Sequence, residues 1–237
     1  MRIAISGTYS SGKTLTSYAL AHYVGIPRTR ARTMRELLPE AVPGKTLEQC
    51  TAAELVQLIV RRHVDRAVHE SSFEGSFISD GSSLQEWIYG SVRVIVGINP
   101  NESLHLSELE SVERTADIRV FDAVMEQLGI AFKQHVKQTY DVFVHLPNEL
   151  ALAADGHRPV NERFRSMADE RLLEVAAELG IPAHVVGGTV AERLVEIARL
   201  FDLPALMSPE EAIARAQAEY EALDMRTESD RASVIVR

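Results

Sequence analysis

The sequence predicts an α/β protein: a parallel sheet of about five strands with helices on both faces, three layers in all. Three observations carry this expectation. Short, largely apolar runs at 2–6, 76–80, 140–147 and 183–186 alternate with longer stretches of helical pattern. Such alternation implies right-handed crossovers between parallel strands. The first run leads directly into Gly7-Thr8-Tyr9-Ser10-Ser11-Gly12-Lys13-Thr14, followed by ten residues with no Pro or Gly. Finally, Asp80, the loop after Pro147 and Gly187-Gly188 all follow strand ends. In open α/β sheets ligands bind outside the carboxyl ends of the strands, so these residues should gather on one rim.

The elements read in order as follows. A strand at 2–6 precedes a helix from 12 to about 24. Residues 25–32 form a short strand running into a basic loop, and 34–45, with Pro39, Pro43 and Gly44, is irregular or one helical turn. A helix opening at Thr46 continues to about Ser71, with Leu55, Leu58, Ile59 and Val68 recurring at helical spacing. A second strand ends at Asp80 and Gly81, and 83–89 is helical. Gly97, Asn99, Pro100 and Asn101 mark a loop over 97–107, before a long helix at 108–128 that Gly129 ends. After the strand at 140–147 comes a turn-rich loop at 155–159. Asn161 caps a helix to Gly180; the strand 183–186 then leads through Gly187-Gly188-Thr189 into a helix to about Phe201. Ser208-Pro209-Glu210-Glu211 has a cap, a first-turn proline and a glutamate three residues on, so it opens a helix to about Leu223. Val234-Ile235-Val236 offers an edge strand. The organisation is a domain over 1–203 and a C-terminal helix and tail over 204–237. Within the domain, about 150–166 reads as a lid and about 84–107 as a region covering the substrate.

Composition narrows the function classes. At 237 residues, with 46% hydrophobic side chains, the chain can bury a core. A net charge of −9 argues against general nucleic-acid binding. The single cysteine, Cys50, excludes an intramolecular disulfide and fits a reducing cytoplasm. No apolar run approaches the length of a membrane span, and the immediate entry into a strand leaves no room for a signal peptide. Neither membrane nor nucleic acid is therefore expected as a partner; a small molecule is, and a homo-oligomer stays open.

Residues 7–14 fit G-x-x-x-x-G-K-T, the phosphate-binding P-loop, in its strand-to-helix setting. Gly7 and Gly12 let the backbone double back and aim N–H groups from Thr8, Tyr9, Ser10 and Ser11 at one point. The helix that follows adds partial positive charge there. Lys13 is the candidate catalytic cation for the outer phosphates of ATP, and the Thr14 hydroxyl a ligand for Mg²⁺. Asp80 closes a strand on the same rim, where its carboxylate can hold Mg²⁺ or accept a proton from a substrate hydroxyl. It can also simply start a turn with Gly81. The strand at 142–146 carries no Asp at its end and offers His145 and Asn148, and Asp141 begins that strand at the opposite rim, so Asp80 is the leading metal-site acid by elimination. Arg158, Arg163 and Arg165 surround Asp155-Gly156. On a closing lid, Arg158 and Arg163 can stabilise a transferring phosphate; as a solvated helix start they would pair with Glu162, Asp169 and Glu170. Arg28, Arg30, Arg32 and Arg35 form a second basic cluster, fit for an anionic ligand or for solvent. Trp87 and Tyr89 can stack on a planar substrate or pack in the core. The histidines lack metal-ligand spacing, so no zinc site is expected.

The segments 5–14, the strand ending at Asp80, residues 140–146, the lid sequence Asp155-Gly156-His157-Arg158 and the closing Val186-Gly187-Gly188-Thr189 with Glu192-Arg193 resemble the small P-loop ATPase/kinase family that contains the ribosylnicotinamide kinase domain. The resemblance spans about 1–203. It implies a nucleoside-monophosphate-kinase-like fold and ATP-dependent phosphorylation of a small, often nucleoside-like molecule. It also implies that Gly188 borders the adenine. Arg32 and Asp155 are the candidate substrate contacts. One departure stands out: the family tends to place a glutamate shortly before an arginine after the second strand, whereas residues 27–32, with Arg32 at the arginine position, contain no acid. Either Asp80 then serves the substrate hydroxyl alone, or the substrate is not nicotinamide riboside. A regulatory or switch-type ATPase is the other class the motif admits. The absence of N-K-x-D argues against GTP.

Overall fold

The computed structural model describes residues 1–107, 110–152 and 161–222. Four parallel strands, β1 (Arg2–Ser6), β2 (Phe77–Asp80), β3 (Val142–His145) and β4 (Ala183–Val185), lie in the order β2-β1-β3-β4. The helices are α1 (Lys13–Val24), α2 (Met34–Ala41), α3 (Ala52–Ser71), α4 (Ser83–Val96), α5 (Ala116–Thr139), α6 (Glu162–Glu178), α7 (Val190–Leu200) and α8 (Pro209–Glu221). Side chains on a strand alternate between faces, and β1 makes the three layers visible. Ile3 and Ile5 pack with α1, α7 and α8, whereas Ala4 faces the cluster built by α2 to α6.

The expected fifth strand is a single bridge. Ile78 N–H donates to the Pro27 carbonyl (2.9 Å) and Thr29 N–H to the Ile78 carbonyl (2.8 Å), and the pairing goes no further. Proline at 27 has no N–H to extend the ladder. Residues 34–41 form a full helix despite Pro39, because Thr33 and Glu36 make a capping box and Leu37 and Leu38 are buried. The helix expected from Thr46 is interrupted: residues 47–49 are a 3₁₀ turn, and Thr51 with Glu54 starts α3 afresh. Val68 faces solvent rather than the core, at 63% exposure. Helix α4 extends to Val96, beyond the expected end near Tyr89.

The long helix is shifted. It runs Ala116–Thr139, and Gly129 lies inside it. A Cβ at Gly129 would meet the Trp87 ring at 2.6–3.0 Å, and one at Gly90 would meet Met125 Sδ at 2.4 Å. These glycines are contact points that let α4 and α5 approach closely, so Gly129 packs the helix instead of ending it. The edge strand expected at 234–236 lies outside the described residues. Helix α8 packs on α1, with Ala212 and Ala216 fully buried and Leu206 N–H donating to the Tyr23 carbonyl (2.8 Å).

Candidate active site

The strand registers set the rim. Ile5 pairs with Asp80, Ser6 with His145, and His145 with Val185, so residues 7–14, Asp80 and the segment after β4 leave the sheet at the same end. Asp141 lies at the other end, where its carboxylate accepts from Arg2 N–H at 2.7 Å.

The loop 7–14 is shaped by close approach. Gly7 has φ 135°, and a Cβ there would lie 2.6 Å from the Leu146 carbonyl. Gly12 has φ 83° and stands at the cap position of α1; Ser10 adopts a left-handed φ of 58°. Helices α2, α3, α5, α6, α7 and α8 each begin with a Thr, Asn or Ser oxygen accepting a backbone N–H. Helix α1 has no such side-chain cap and no acid in its first turn. Its leading amides are thus left for an anion, and the dipole favours one there. Lys13 Nζ donates to the Thr8 carbonyl and reaches Ser11 Oγ at 3.5 Å, so its charge lies over the loop.

Thr14 Oγ1 donates to Asp80 Oδ2 at 2.7 Å. Two residues 66 positions apart therefore present a hydroxyl and a carboxylate together at the end of the loop. That oxygen-only pair fits Mg²⁺, which takes one or two protein oxygens and keeps several waters. The turn after Asp80 is fixed from below by buried Arg66, which donates to Ser79 Oγ (2.8 Å), the Gly81 carbonyl (3.1 Å) and the Asp80 carbonyl (3.1 Å). Burial opposes the Arg66 charge, but Tyr140, Glu70, Glu86 and Asp80 outweigh it and raise its pKa. Gly81 has φ 80°, so Asp80 both starts a turn and faces Thr14.

The loop is also braced at its sides. Thr8 Oγ1 donates to Asn148 Oδ1 (2.5 Å) and Gln85 Nε2 to the Gly7 carbonyl. Buried Arg193 donates to the Ser11 carbonyl (2.8 Å) and to Glu149 (3.1 Å), whose carboxylate accepts Gly188 N–H at 2.9 Å. Gly188 thus joins the loop through one continuous chain of polar contacts. His145 is buried between Ser6 and Asp169, with Nε2 3.2 Å from the Asp169 carboxylate.

A cavity of about 760 Å³ opens from Lys13, Thr14 and Asp80. One wall is the face of α3 carrying Leu55, Ile59, Arg62 and Arg66; the other is the face of α4 carrying Gln85, Glu86, Tyr89 and Arg93. Tyr9 of the loop stacks on Tyr89 with centroids 4.5 Å apart, and Phe164 lies 5.6 Å from Tyr89. Burial pushes the Tyr89 hydroxyl well above its usual pKa, with Tyr9 and Glu86 adding to the effect. Helix α8 contributes Glu219 and Tyr220 to the mouth, where Glu219 pairs with Arg28 (2.6 Å) and Arg28 lies over the Tyr18 ring (3.4 Å).

Other expected residues lie elsewhere. Arg32 pairs with Glu40 (3.0 Å) and Asp65 (3.2 Å) and does not line the cavity, whereas Arg28 and Arg30 do. Arg163 stands in the first turn of α6, where its charge helps hold Glu110 below the usual carboxylate range, after the Ser107 hydrogen bonds. It too is outside the cavity wall. Asp155 and Arg158 lie outside the described residues. Trp87 turns away from the cavity, donating to the Met125 carbonyl at 2.8 Å. Arg62, Arg66, Glu86, Arg93 and Glu149 are not anticipated from sequence, and Arg193 enters there only as part of the family resemblance. Arg62 and Arg66 continue the Leu55/Ile59 stripe of α3, and that was the one signal available.

The loop, the parallel sheet and the oxygen pair define a P-loop protein with a kinase-like α/β fold. The chain belongs to the AAA_28 family, an AAA domain, which matches residues 2–193. Among solved structures it is similar to deoxyadenosine kinase from M. mycoides with bound dCTP: TM-score 0.54, 13% identity, 85% of this chain and 99% of that one. The same kinase with dCMP gives TM-score 0.52 at 14% identity, covering 85% and 98%. The NadR protein in complex with NR gives 0.50 at 16% identity, over 95% of this chain and 52% of that one. At these identities the likeness establishes the fold, and it agrees with the resemblance to the ribosylnicotinamide kinase group. No curated protein matches the chain. Among the described residues no helix is long and apolar enough to cross a membrane.

Proposed function

We propose that this protein transfers a phosphoryl group from ATP, with Mg²⁺, to a hydroxyl of a small, nucleoside-like molecule. The observation that carries the reading is the cavity leading from the Thr14–Asp80 pair to the walls of α3 and α4. A switch ATPase needs a site for one water; a volume of about 760 Å³ beside the phosphate end is of the size that encloses a small molecule.

The residues act by position and charge. Main-chain N–H groups of residues 8–14 hold the ATP phosphates, and Lys13 turns its ammonium to the outer ones. Bound between Thr14 and Asp80, Mg²⁺ would supply charge neutralisation on those phosphates. Asp80 also faces the acceptor hydroxyl and can take its proton. Arg66 positions Asp80 through the backbone of the turn. Arg158 and Arg163, with Asp155, are assigned to a lid over about 150–166 that excludes water, and Gly188 to the edge of the adenine.

The test is incubation with ATP, Mg²⁺ and a pool of nucleosides and other small hydroxyl compounds, following ADP and new phosphoesters by mass spectrometry. ADP release that depends on an acceptor, with a matching phosphoester, is expected. Slow release unaffected by every acceptor would reject the kinase in favour of the switch ATPase.

A further inference from the structure

The α3 and α4 walls of the cavity hold a buried positive charge that no carboxylate answers. Arg62, Arg66 and Arg93 are all buried cavity-lining residues, at 9%, 1% and 6% exposure. Two buried carboxylates serve them, with Asp80 adding to the pull on Arg66. Glu86 receives Arg62 Nε at 2.6 Å and lies 3.9 Å from Arg66. Glu70 stands behind Arg66 and is shared with the Tyr140 hydroxyl and His135. Neither reaches Arg93. Its polar contacts are the Ile98 carbonyl and the Tyr9 side chain, both uncharged, and it lies 5.6 Å from the Phe164 ring. Burial lowers its pKa, and no carboxylate is among the influences on it. Arg62 Nη1 is buried without a hydrogen-bond partner among the described residues.

A buried guanidinium with no counter-charge is strongly disfavoured, and a buried donor left unpaired adds its own penalty. The two groups line one cavity, from helices that face each other across it. An oxyanion placed there would neutralise Arg93 and fill the vacant donor of Arg62, with charge-assisted hydrogen bonds from planar forks suited to carboxylate or phosphate. Glu86 does not oppose this, because Arg62 already balances it.

We propose that the acceptor carries an oxyanion, a phosphate or a carboxylate, in addition to the hydroxyl it offers, and that Arg62 and Arg93 receive it. The proposal rests on the kinase reading and sharpens it: the preferred acceptor is anionic, and a purely cationic one such as nicotinamide riboside is disfavoured by the same charges.

The test is titration calorimetry on protein saturated with Mg²⁺ and a non-hydrolysable ATP analogue. Four probes form two matched pairs: adenosine with AMP for phosphate, and nicotinamide riboside with nicotinic acid riboside for carboxylate. In at least one pair the anionic member should bind about tenfold or more tightly than its partner. The pair that responds identifies the oxyanion. Arg93→Gln should remove most of that difference, and Arg62→Gln part of it. Should Arg62→Gln not fold because Glu86 is left alone, the double variant Arg62→Gln with Glu86→Gln replaces it. Equal affinities within both pairs, tighter binding of the neutral or cationic member, a preference untouched by Arg93→Gln, or no heat from any probe on the analogue-loaded protein would each overturn the proposal and leave the kinase reading standing. Failure of the ATP analogue itself to bind would instead remove the kinase reading.

Discussion

The two ends of the cavity are built in opposite ways. The phosphate end is main chain: eight consecutive residues running from the end of β1 into the first turn of α1, bent by Gly7 and Gly12, with the amides of an uncapped helix at the focus. The end proposed for the acceptor is side chain: Arg62 from α3, Glu86 and Arg93 from α4, and Tyr89 stacked on Tyr9 of the loop. Amides look alike in every residue, so the first end depends on backbone shape and on a few small residues. The second depends on which side chains face each other, so a few substitutions can change what it accepts. A protein of this plan can keep one nucleotide donor while its acceptor varies.

The largest effect should come from the main-chain end. Lys13→Ala should lower turnover by about a thousandfold or more, as loss of a preorganised charge at a transferring phosphate does. Circular dichroism should show an unchanged fold, since the Lys13 side chain is only partly buried at the first turn of α1 and is not part of the apolar core. Normal turnover would refute the site. Asp80→Asn should follow, with a loss of about a hundredfold or more in steady-state rate and retained ATP binding by calorimetry. A near-normal rate would reduce Asp80 to a turn-former.

Next comes the brace that joins the loop to the segment after β3. Glu149→Ala leaves buried Arg193 without its carboxylate. Because Glu149 is itself partly exposed, the cost should fall short of the roughly 3–5 kcal/mol of a fully buried broken pair and show as a drop of a few degrees in melting temperature. An unchanged melting temperature would mean the brace is ornamental.

The smallest effect is a pH dependence on the wall behind the acceptor end. His63 is packed against Phe132 with its Nδ1 2.8 Å from Ser83 Oγ, and burial lowers its pKa from 6.5 to about 4. Between these values the unfolded chain binds a proton that the folded one refuses. His63 therefore favours the fold above about pH 6.5, and this contribution is lost as pH falls towards 4. Chemical denaturation at stepped pH should show stability falling over that window, less steeply in His63→Gln. Identical slopes would place the titration elsewhere.

How much of this was legible in sequence follows from the same contrast. The loop, its strand and its helix are contiguous, so spacing alone reveals them, and Asp80 is found because a strand ends on it. Asp80 and Thr14 do meet, at 2.7 Å. The acceptor end was only outlined. The sequence expects 84–107 to cover a substrate; α4 lines the cavity with Gln85, Glu86, Tyr89 and Arg93, while Trp87 packs on α5. Arg62 and Glu86 are 24 residues apart, and nothing local says that α3 and α4 face each other. Gly129 misled for the reverse reason: a glycine that ends a helix and one that seats a tryptophan look the same until the neighbouring helix is in place. The spacing of Arg28, Arg30, Arg32 and Arg35 suggests one basic cluster, yet Arg28 turns to Glu219 of α8 and Arg32 to Asp65 of α3.

The central claim is that backbone amides of residues 8–14 grip the nucleotide. Hydrogen–deuterium exchange with and without Mg-ATP reads those amides directly. Peptides covering 7–16 should exchange markedly more slowly when Mg-ATP is present, and Lys13→Ala should weaken that protection. Protection confined to other segments, or none anywhere at saturating nucleotide, would contradict the account.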